Sequence, residues 1–290
     1  MKPRILIAGA AGSTGRVATR LLVEQGFPVR ALVHKEDDRS SKLVDLGAEV
    51  AVGDLLDVRA LRRAFQGVQR AYFVYPIRPG LVEAAVYFAE AALEAKTEFL
   101  VSMSQRTARE DALSNAALAH WIAERVFDWA GTPVAHLRPT IFHNWLLYMR
   151  KGIKAGKYHV PFGTAGRFAP IAAEDLGHVI AAMLAHPDSH VGKVYELFGP
   201  AELTAPQVAE EVSIALGRQV NYQQVPPEEW ISDIYEGKQV IPYLAQHLAG
   251  ITYDQDHNMM AGTNDVVEMI TGRKPQNLAD FVKQNRAAFE

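Results

Sequence analysis

The stretch Ile5-Leu6-Ile7-Ala8-Gly9-Ala10-Ala11-Gly12-Ser13-Thr14-Gly15 decides the fold. Its four apolar residues make a short buried strand, and glycines follow at Gly9, Gly12 and Gly15. From Thr14 to Gln25 the apolar residues recur at helical spacing. Val17, Leu21 and Leu22 share one face, and Gly26 ends the run. Strand, glycine turn and helix in that order open a dinucleotide-binding βαβ fold. The first glycine allows the tight turn, and the second lets backbone approach a pyrophosphate. The third lets the helix pack close to the sheet. The helix N-terminus adds unpaired N–H groups and a positive dipole end.

Working outward, short apolar runs alternate with helical patterns. Val29–Val33, Glu49–Val52, Arg70–Tyr75, Phe99–Val101 and Val134–Leu137 read as strands. Val58–Phe65, Gly80–Ala95 and Ala112–Ala130 read as helices between them. Such alternation predicts a parallel sheet covered on both faces, hence an α/β doubly wound Rossmann fold. After Pro139 glycines punctuate a looser stretch. A helix from Asp175 to Ala185, with Asp175 as its N-cap, and a strand at Val194–Phe198 follow. Helices divided by prolines dominate from Thr204 onward. The expected organisation is a nucleotide domain over residues 1–150, with 167–198 returning to it. Residues 151–290 form a smaller, partly interleaved C-terminal substrate domain.

The bulk numbers narrow the class. At 290 residues and 49% hydrophobic, the chain has ample core material. A net charge of -3 gives no basic field for nucleic acid. With no cysteine there is no disulfide, thiolate metal site or Cys nucleophile. The first apolar run is too short for a signal peptide or a membrane span, so a soluble cytoplasmic protein is expected. A homodimer stays open.

The end of the second strand bears on the cofactor. A site for NAD places a carboxylate there for the ribose 2′-OH. Here Val33-His34-Lys35 comes first and Glu36-Asp37-Asp38 later. Lys35, Arg39 and Arg16, helped by His34, are candidates to neutralise a 2′-phosphate, which favours NADP(H) and leaves NAD(H) open. Asp54, after the third strand, either accepts from an adenine amino group or caps the next turn.

These motifs together resemble the NmrA-like branch of the atypical short-chain dehydrogenases/reductases, with its quinone oxidoreductases, triphenylmethane reductases and NmrA-type regulators. The resemblance runs through Gly9 to Gly15, Val29-Arg30-Ala31-Leu32-Val33, Gly53-Asp54-Leu55 and His120 to Glu124. Leu137-Arg138-Pro139 with Asn144, Glu174-Asp175 and Gly192-Lys193-Val194-Tyr195 continue it, as do Leu203-Thr204, Gly217-Arg218 and Thr271-Gly272-Arg273. It implies a pyrophosphate over Gly9, Gly12, Ser13, Thr14 and Gly15, and adenine near Asp54 and Leu55. It implies a nicotinamide near Tyr75, Pro76, Ser102 and the turn from Pro139 to Phe142. The substrate pocket is expected between the sheet's carboxyl edge and the C-terminal part.

The usual Tyr-x-x-x-Lys pair of the wider superfamily is missing: no tyrosine has lysine four residues on. Ala112–Ala130 instead carries His120 and Glu124 on one face. Two readings stay open: His120 donates a proton or touches the ribose with Glu124 orienting it, or the pair is a plain helix contact. Ser102 and Ser104 either bond a substrate oxygen or finish a strand. Tyr75, Phe142, Trp145 and Tyr148 either line an aromatic pocket or belong to core. Trp121 and Trp129 read as packing, and His186 and His190 as surface. Tyr75, Ser102 and His120 are the catalytic candidates.

Hydride transfer to a quinone or conjugated cation leaves a delocalised product that solvent can protonate, so the missing pair is tolerable there. The leading expectation is reduction of a small conjugated electrophile. A dinucleotide-binding redox sensor is the alternative, and an imine or ene reductase would use the same site.

Overall fold

The computed structural model describes residues 2–236 and 238–290; Met1 and Gly237 lie outside them. Chain order begins β1 (Ile5–Ala8), α1 (Ser13–Glu24), β2 (Val29–Val33), α2 (Asp38–Asp45), β3 (Glu49–Val52), α3 (Val58–Ala64). Next come β4 (Arg70–Phe73), α4 (Leu81–Glu94), β5 (Phe99–Met103), α5 (Asn115–Ala130) and β6 (Val134–Pro139). After them stand α6 (Trp145–Tyr148), α7 (Arg150–Lys154), β7 (Lys157–Val160), α8 (Ala173–Ala185) and β8 (Val194–Leu197). The chain closes with α9 (Ala205–Leu216), β9 (Asn221–Gln224), α10 (Pro227–Ile234), α11 (Pro242–Asp256), α12 (Val266–Thr271), α13 (Leu278–Gln284) and α14 (Arg286–Phe289). No helix among the described residues is long and apolar enough to cross a membrane.

The main sheet has seven strands in the order β3-β2-β1-β4-β5-β6-β8. The pairings from β3 through β6 are parallel. The order turns back at β1, with β2 on one side and β4 on the other. This is the doubly wound arrangement, in which ligands bind beyond the strands' carboxyl ends at the reversal. Every residue of β1 is buried, as a strand covered on both faces requires.

The chain forms two units that share it equally. The first holds residues 1–105, 119–138 and 176–195; the second holds 106–118, 139–175 and 196–290. The boundary therefore falls at Pro139 rather than at residue 150, and the second unit is not the smaller one. The physical reason is the sheet's polarity. Departures into the second unit follow the carboxyl ends of β5 and β6 and run through β8, where connecting segments of an open α/β sheet have room to grow.

The first unit's core is aromatic and tight. Phe73 packs against Phe88 at 5.1 Å and Phe127 at 5.0 Å, and Phe65 meets Phe88 edge-on at 4.8 Å. Arg30 enters β2 buried because Glu49 and the carbonyls of Ala64 and Gln66 accept from it. The second unit has its own core, built around Trp230, Phe162, Phe168, Phe281 and Phe289. Two expectations fail here. Asp175 does not precede α8 but lies inside its first turn, where Oδ2 accepts from the Gln276 N–H at 2.8 Å. Trp129 is 76% exposed rather than packed, because it faces away from the sheet on α5.

Candidate functional site

The glycine turn follows β1 at the reversal point. Gly9 has φ +60°, and a Cβ there would meet Val74 Cγ1 at 2.7 Å. The Gly12 N–H donates to the Gly9 carbonyl at 2.8 Å and closes the turn. A Cβ on Gly15 would stand 2.4 Å from that carbonyl oxygen, so only glycine lets α1 start this close to the strand. Gly12 is the N-cap, with no side chain bonding the free N–H groups and no acid in the first turn. Gly12 and Ser13 are exposed. An anion therefore meets open donors, a bare backbone cradle and a favourable dipole, and the residues present fit a pyrophosphate. Thr14 is turned inward, its Oγ1 3.0 Å from the buried Tyr72 hydroxyl. That anchor was invisible to sequence patterning, although a phenol in an apolar strand demands some partner. Gly177 of α8 is a second missed element: a Cβ there would sit 2.4 Å from Val17 of α1.

His34, Lys35 and Asp54 also follow strand ends on this edge. His34 and Lys35 are exposed, and Lys35 makes no ion pair among the described residues. Arg39 is not free: its guanidinium donates twice to Asp37 Oδ2, at 3.1 and 2.6 Å. Asp37 is held below the usual carboxylate range by Arg39, and it caps α2 through the Arg39 and Ser40 N–H groups. Asp54 takes the turn-capping reading, since Oδ1 accepts from the Leu56 N–H at 2.9 Å. Its other oxygen lies 3.4 Å from His34 Nδ1, and Arg78 approaches at 3.9 Å. Leu55 is half-buried against the first unit's core.

Pro76 is exposed after β4, whereas Tyr75 is buried. The Tyr75 hydroxyl donates to the Pro79 carbonyl at 3.0 Å and accepts from Arg78 Nε at 3.2 Å. Its one proton is committed to holding the loop. Ser102 is buried in β5, in register with Phe73 and His136. Ser104, one strand position further along that face, donates to Glu124 Oε1 at 2.6 Å.

Glu124 does not orient His120. Arg138 grips it in bidentate fashion, Nε to Oε1 at 2.8 Å and Nη2 to Oε2 at 2.5 Å. Both carboxylate oxygens are thereby engaged, and His120 Nδ1 is buried without a partner among the described residues. Burial pushes the His120 imidazole down to about 4, against a smaller opposing pull from Glu124. His120 is therefore neutral at pH 7. Arg138 carried no role in the sequence reading. The signal was present: an arginine ending an apolar strand must find a buried carboxylate.

In the second unit the Pro139 carbonyl accepts from the Arg106 N–H at 2.8 Å. Phe142 and Trp145 line an apolar cavity with His143, Phe162 and Trp230. Its volume is about 20 Å³, room for a water or two and not for an aromatic ligand. Trp145 stacks on Trp230 at 5.5 Å, which makes these rings core, while Tyr148 is exposed.

The NmrA-like family model matches residues 1–282. The chain belongs to the NmrA-like family. This NmrA-like protein is 29% identical over 288 residues to an NAD(P)H azoreductase of Xenophilus azovorans, covering 98% of this chain and 99% of the relative. Its fold matches that of an NADPH-dependent quinone oxidoreductase of Escherichia coli solved with NADPH. The TM-score is 0.84 at 24% identity, with 97% and 99% of the two chains covered. It also matches the negative transcriptional regulator NmrA, solved with NADP and with NAD. There the TM-score is 0.82 at 18% identity, over 98% and 95% of the chains.

Proposed function

We propose that this protein is an NADPH-dependent reductase that acts on a small, flat, electron-poor acceptor such as a quinone, without a protein proton donor of the Tyr-x-x-x-Lys kind. One observation carries the reading: Tyr75 and His120, the two catalytic candidates with a titratable proton, are engaged or neutral, and so is Glu124 beside them. Tyr75 donates its hydroxyl hydrogen bond to the Pro79 carbonyl, Glu124 is held by Arg138, and His120 sits far below its ordinary pKa. A simple ketone needs a proton as hydride arrives. A quinone or conjugated cation spreads the incoming charge and takes its proton from solvent later. Bound NADPH supplies the hydride. Gly9, Gly12, Ser13 and Gly15 hold the pyrophosphate by backbone, and Tyr72 steadies Thr14 beneath it. Lys35 and His34 meet the 2′-phosphate, while the Asp37 carboxylate is spent on its own helix cap. NAD(H) is accepted less well. The azoreductase and quinone oxidoreductase relatives support the same acceptor class.

The test is oxidation of NADPH against a panel of quinones, azo dyes and cationic dyes. Acceptor-dependent loss of the nicotinamide absorbance supports the reading, and none across the panel defeats it. Lys35→Ala should weaken NADPH far more than NADH. The likeness to the NmrA regulator favours a second reading, a redox sensor. In that case calorimetry finds unequal affinity for NADP and NADPH with no turnover.

A further inference from the structure

In the second unit, β7 and β9 form a two-stranded parallel ribbon, with Tyr158 opposite Tyr222 and His159 opposite Gln223. Tyr158 and Val160 point into the core, so strand alternation turns His159 the other way, half-buried. Two residues, Val225 and Pro226, separate β9 from α10, which begins at Pro227. Trp230 anchors that helix in the core. Glu229 and Asp233, four apart, share a different, exposed face of it.

The His159 ring, the Glu229 carboxylate and the Asp233 carboxylate each place one donor atom within 4.8 Å of the other two. Like charges four apart on a helix repel, and a protein surface ordinarily answers them with lysine or arginine. Here no cation pairs with either carboxylate and nothing hydrogen-bonds the His159 ring among the described residues. The imidazole is free to offer a lone pair, and both carboxylates are free to turn. Tetrahedral zinc with bonds of about 2.1 Å needs its donors about 3.4 Å apart. Two exposed side chains can close that gap by rotamer adjustment.

We propose that His159, Glu229 and Asp233 bind a late first-row divalent cation, Zn²⁺ in the first instance, with solvent completing the coordination. One imidazole with two carboxylates suits zinc better than magnesium or calcium, which take oxygen donors. The ion clips α10 to β7 and holds the Trp230 anchor in place. It takes no part in hydride transfer and is independent of the cofactor site.

The probe is Zn²⁺ alone, titrated calorimetrically into the tag-free, EDTA-treated full chain, with Mg²⁺ as comparison. One equivalent of zinc binds saturably, and magnesium does not. His159→Gln and the double variant Glu229→Gln/Asp233→Asn each weaken zinc by about tenfold or more. His257→Gln, at an exposed histidine outside the cluster, binds like the parent. Zinc also raises the unfolding midpoint of the parent and leaves that of His159→Gln unmoved. Melting in EDTA confirms that every variant is folded, and bound Co²⁺ gives the visible band of an imidazole-ligated site in the parent only. If the parent shows no saturable zinc binding, or His159→Gln binds zinc as tightly as the parent, the proposal is overturned.

Discussion

Glu124 in the first unit and Asp254 in the second are carboxylates at 1% and 0% side-chain exposure; Arg138 and, at 3.6 Å, Arg125 oppose the first, and Arg109 opposes the second. Glu124 receives two bonds from Arg138 and one from Ser104, so both oxygens are occupied. Asp254 receives one bond, from Arg109 at 2.8 Å, and its second oxygen is buried with no partner among the described residues. Beside it, both polar atoms of the Gln255 amide are equally bare. The first unit closes its buried charge with side chains of its own. The second leaves polar atoms open on α11. A closed network fixes geometry, and an open one yields stability that substitution can recover.

The sharpest way to break this comparison is Arg138→Ala. It leaves the buried Glu124 charge with only Ser104 and the more distant Arg125, at 3.6 Å, and loss of the main partner of a buried pair costs about 3–5 kcal/mol. Urea unfolding measures it. A loss under about 1 kcal/mol would mean that water reaches Glu124 and that the network is not closed.

Much of the first unit is legible in the sequence. The spacing of Gly9, Gly12 and Gly15 after an apolar strand leaves few alternatives, because each position needs a missing Cβ for a different reason. The helical face of Val17 and Leu22 could be read for the same kind of reason, since local periodicity encodes it. What periodicity cannot encode is who meets whom across the sheet. Glu124 and His120 are neighbours on one turn, which suggested a pair, yet the strand residue Arg138 captures the carboxylate. Tyr72 under Thr14 and Gly177 against Val17 are likewise contacts between distant segments. Arg39 and Asp37 are two apart in sequence, but a helix start between them consumes the Asp37 carboxylate as a cap and as the partner of Arg39. The second unit was less legible because its segments leave the sheet at three places, and no local pattern marks such a departure.

Histidines sharpen the comparison next, since each unit buries one whose pKa is pushed far down. Burial lowers both His120 and His143 to about 4. Their folded pKa lies below the unfolded value of about 6.5. The neutral forms therefore contribute stability that is whole above that value and is lost as pH falls toward 4. Each contributes a slope approaching about 1.4 kcal/mol per pH unit inside that window. His120→Gln should remove one such share of the slope while leaving the His143 share. Denaturant unfolding at a series of pH values between 7 and 4 reads this out. An unchanged slope would show that His120 is hydrated in the folded protein.

Asp254→Asn is expected to cost less than Arg138→Ala, about 1–2 kcal/mol. It removes one charge-assisted bond and leaves an atom that was already without a partner. A loss as large as that of Arg138→Ala would mean that the second oxygen is satisfied by ordered water, and the contrast between the units would collapse.

The smallest effects form a matched pair. Tyr72→Phe deletes one hydroxyl in the first unit and leaves Thr14 Oγ1 buried without its partner, at a cost of about 1 kcal/mol. The same change frees Thr14 at the start of α1, so NADPH affinity should fall modestly with stability. Gln255→Met in the second unit keeps the side chain's length and removes two polar atoms that have no partner. Gly166 leaves room at the amide, since its missing Cβ would stand 2.7 Å from Gln255 Nε2. The substitution should be neutral or stabilise, because an unsatisfied amide costs more than the apolar group that replaces it. The two variants therefore move unfolding free energy in opposite directions, although each removes polar atoms from a core. If Gln255→Met destabilises as much as Tyr72→Phe, α11 is as fully satisfied as β4. The openness of the second unit would then be a matter of bound water and not of missing partners.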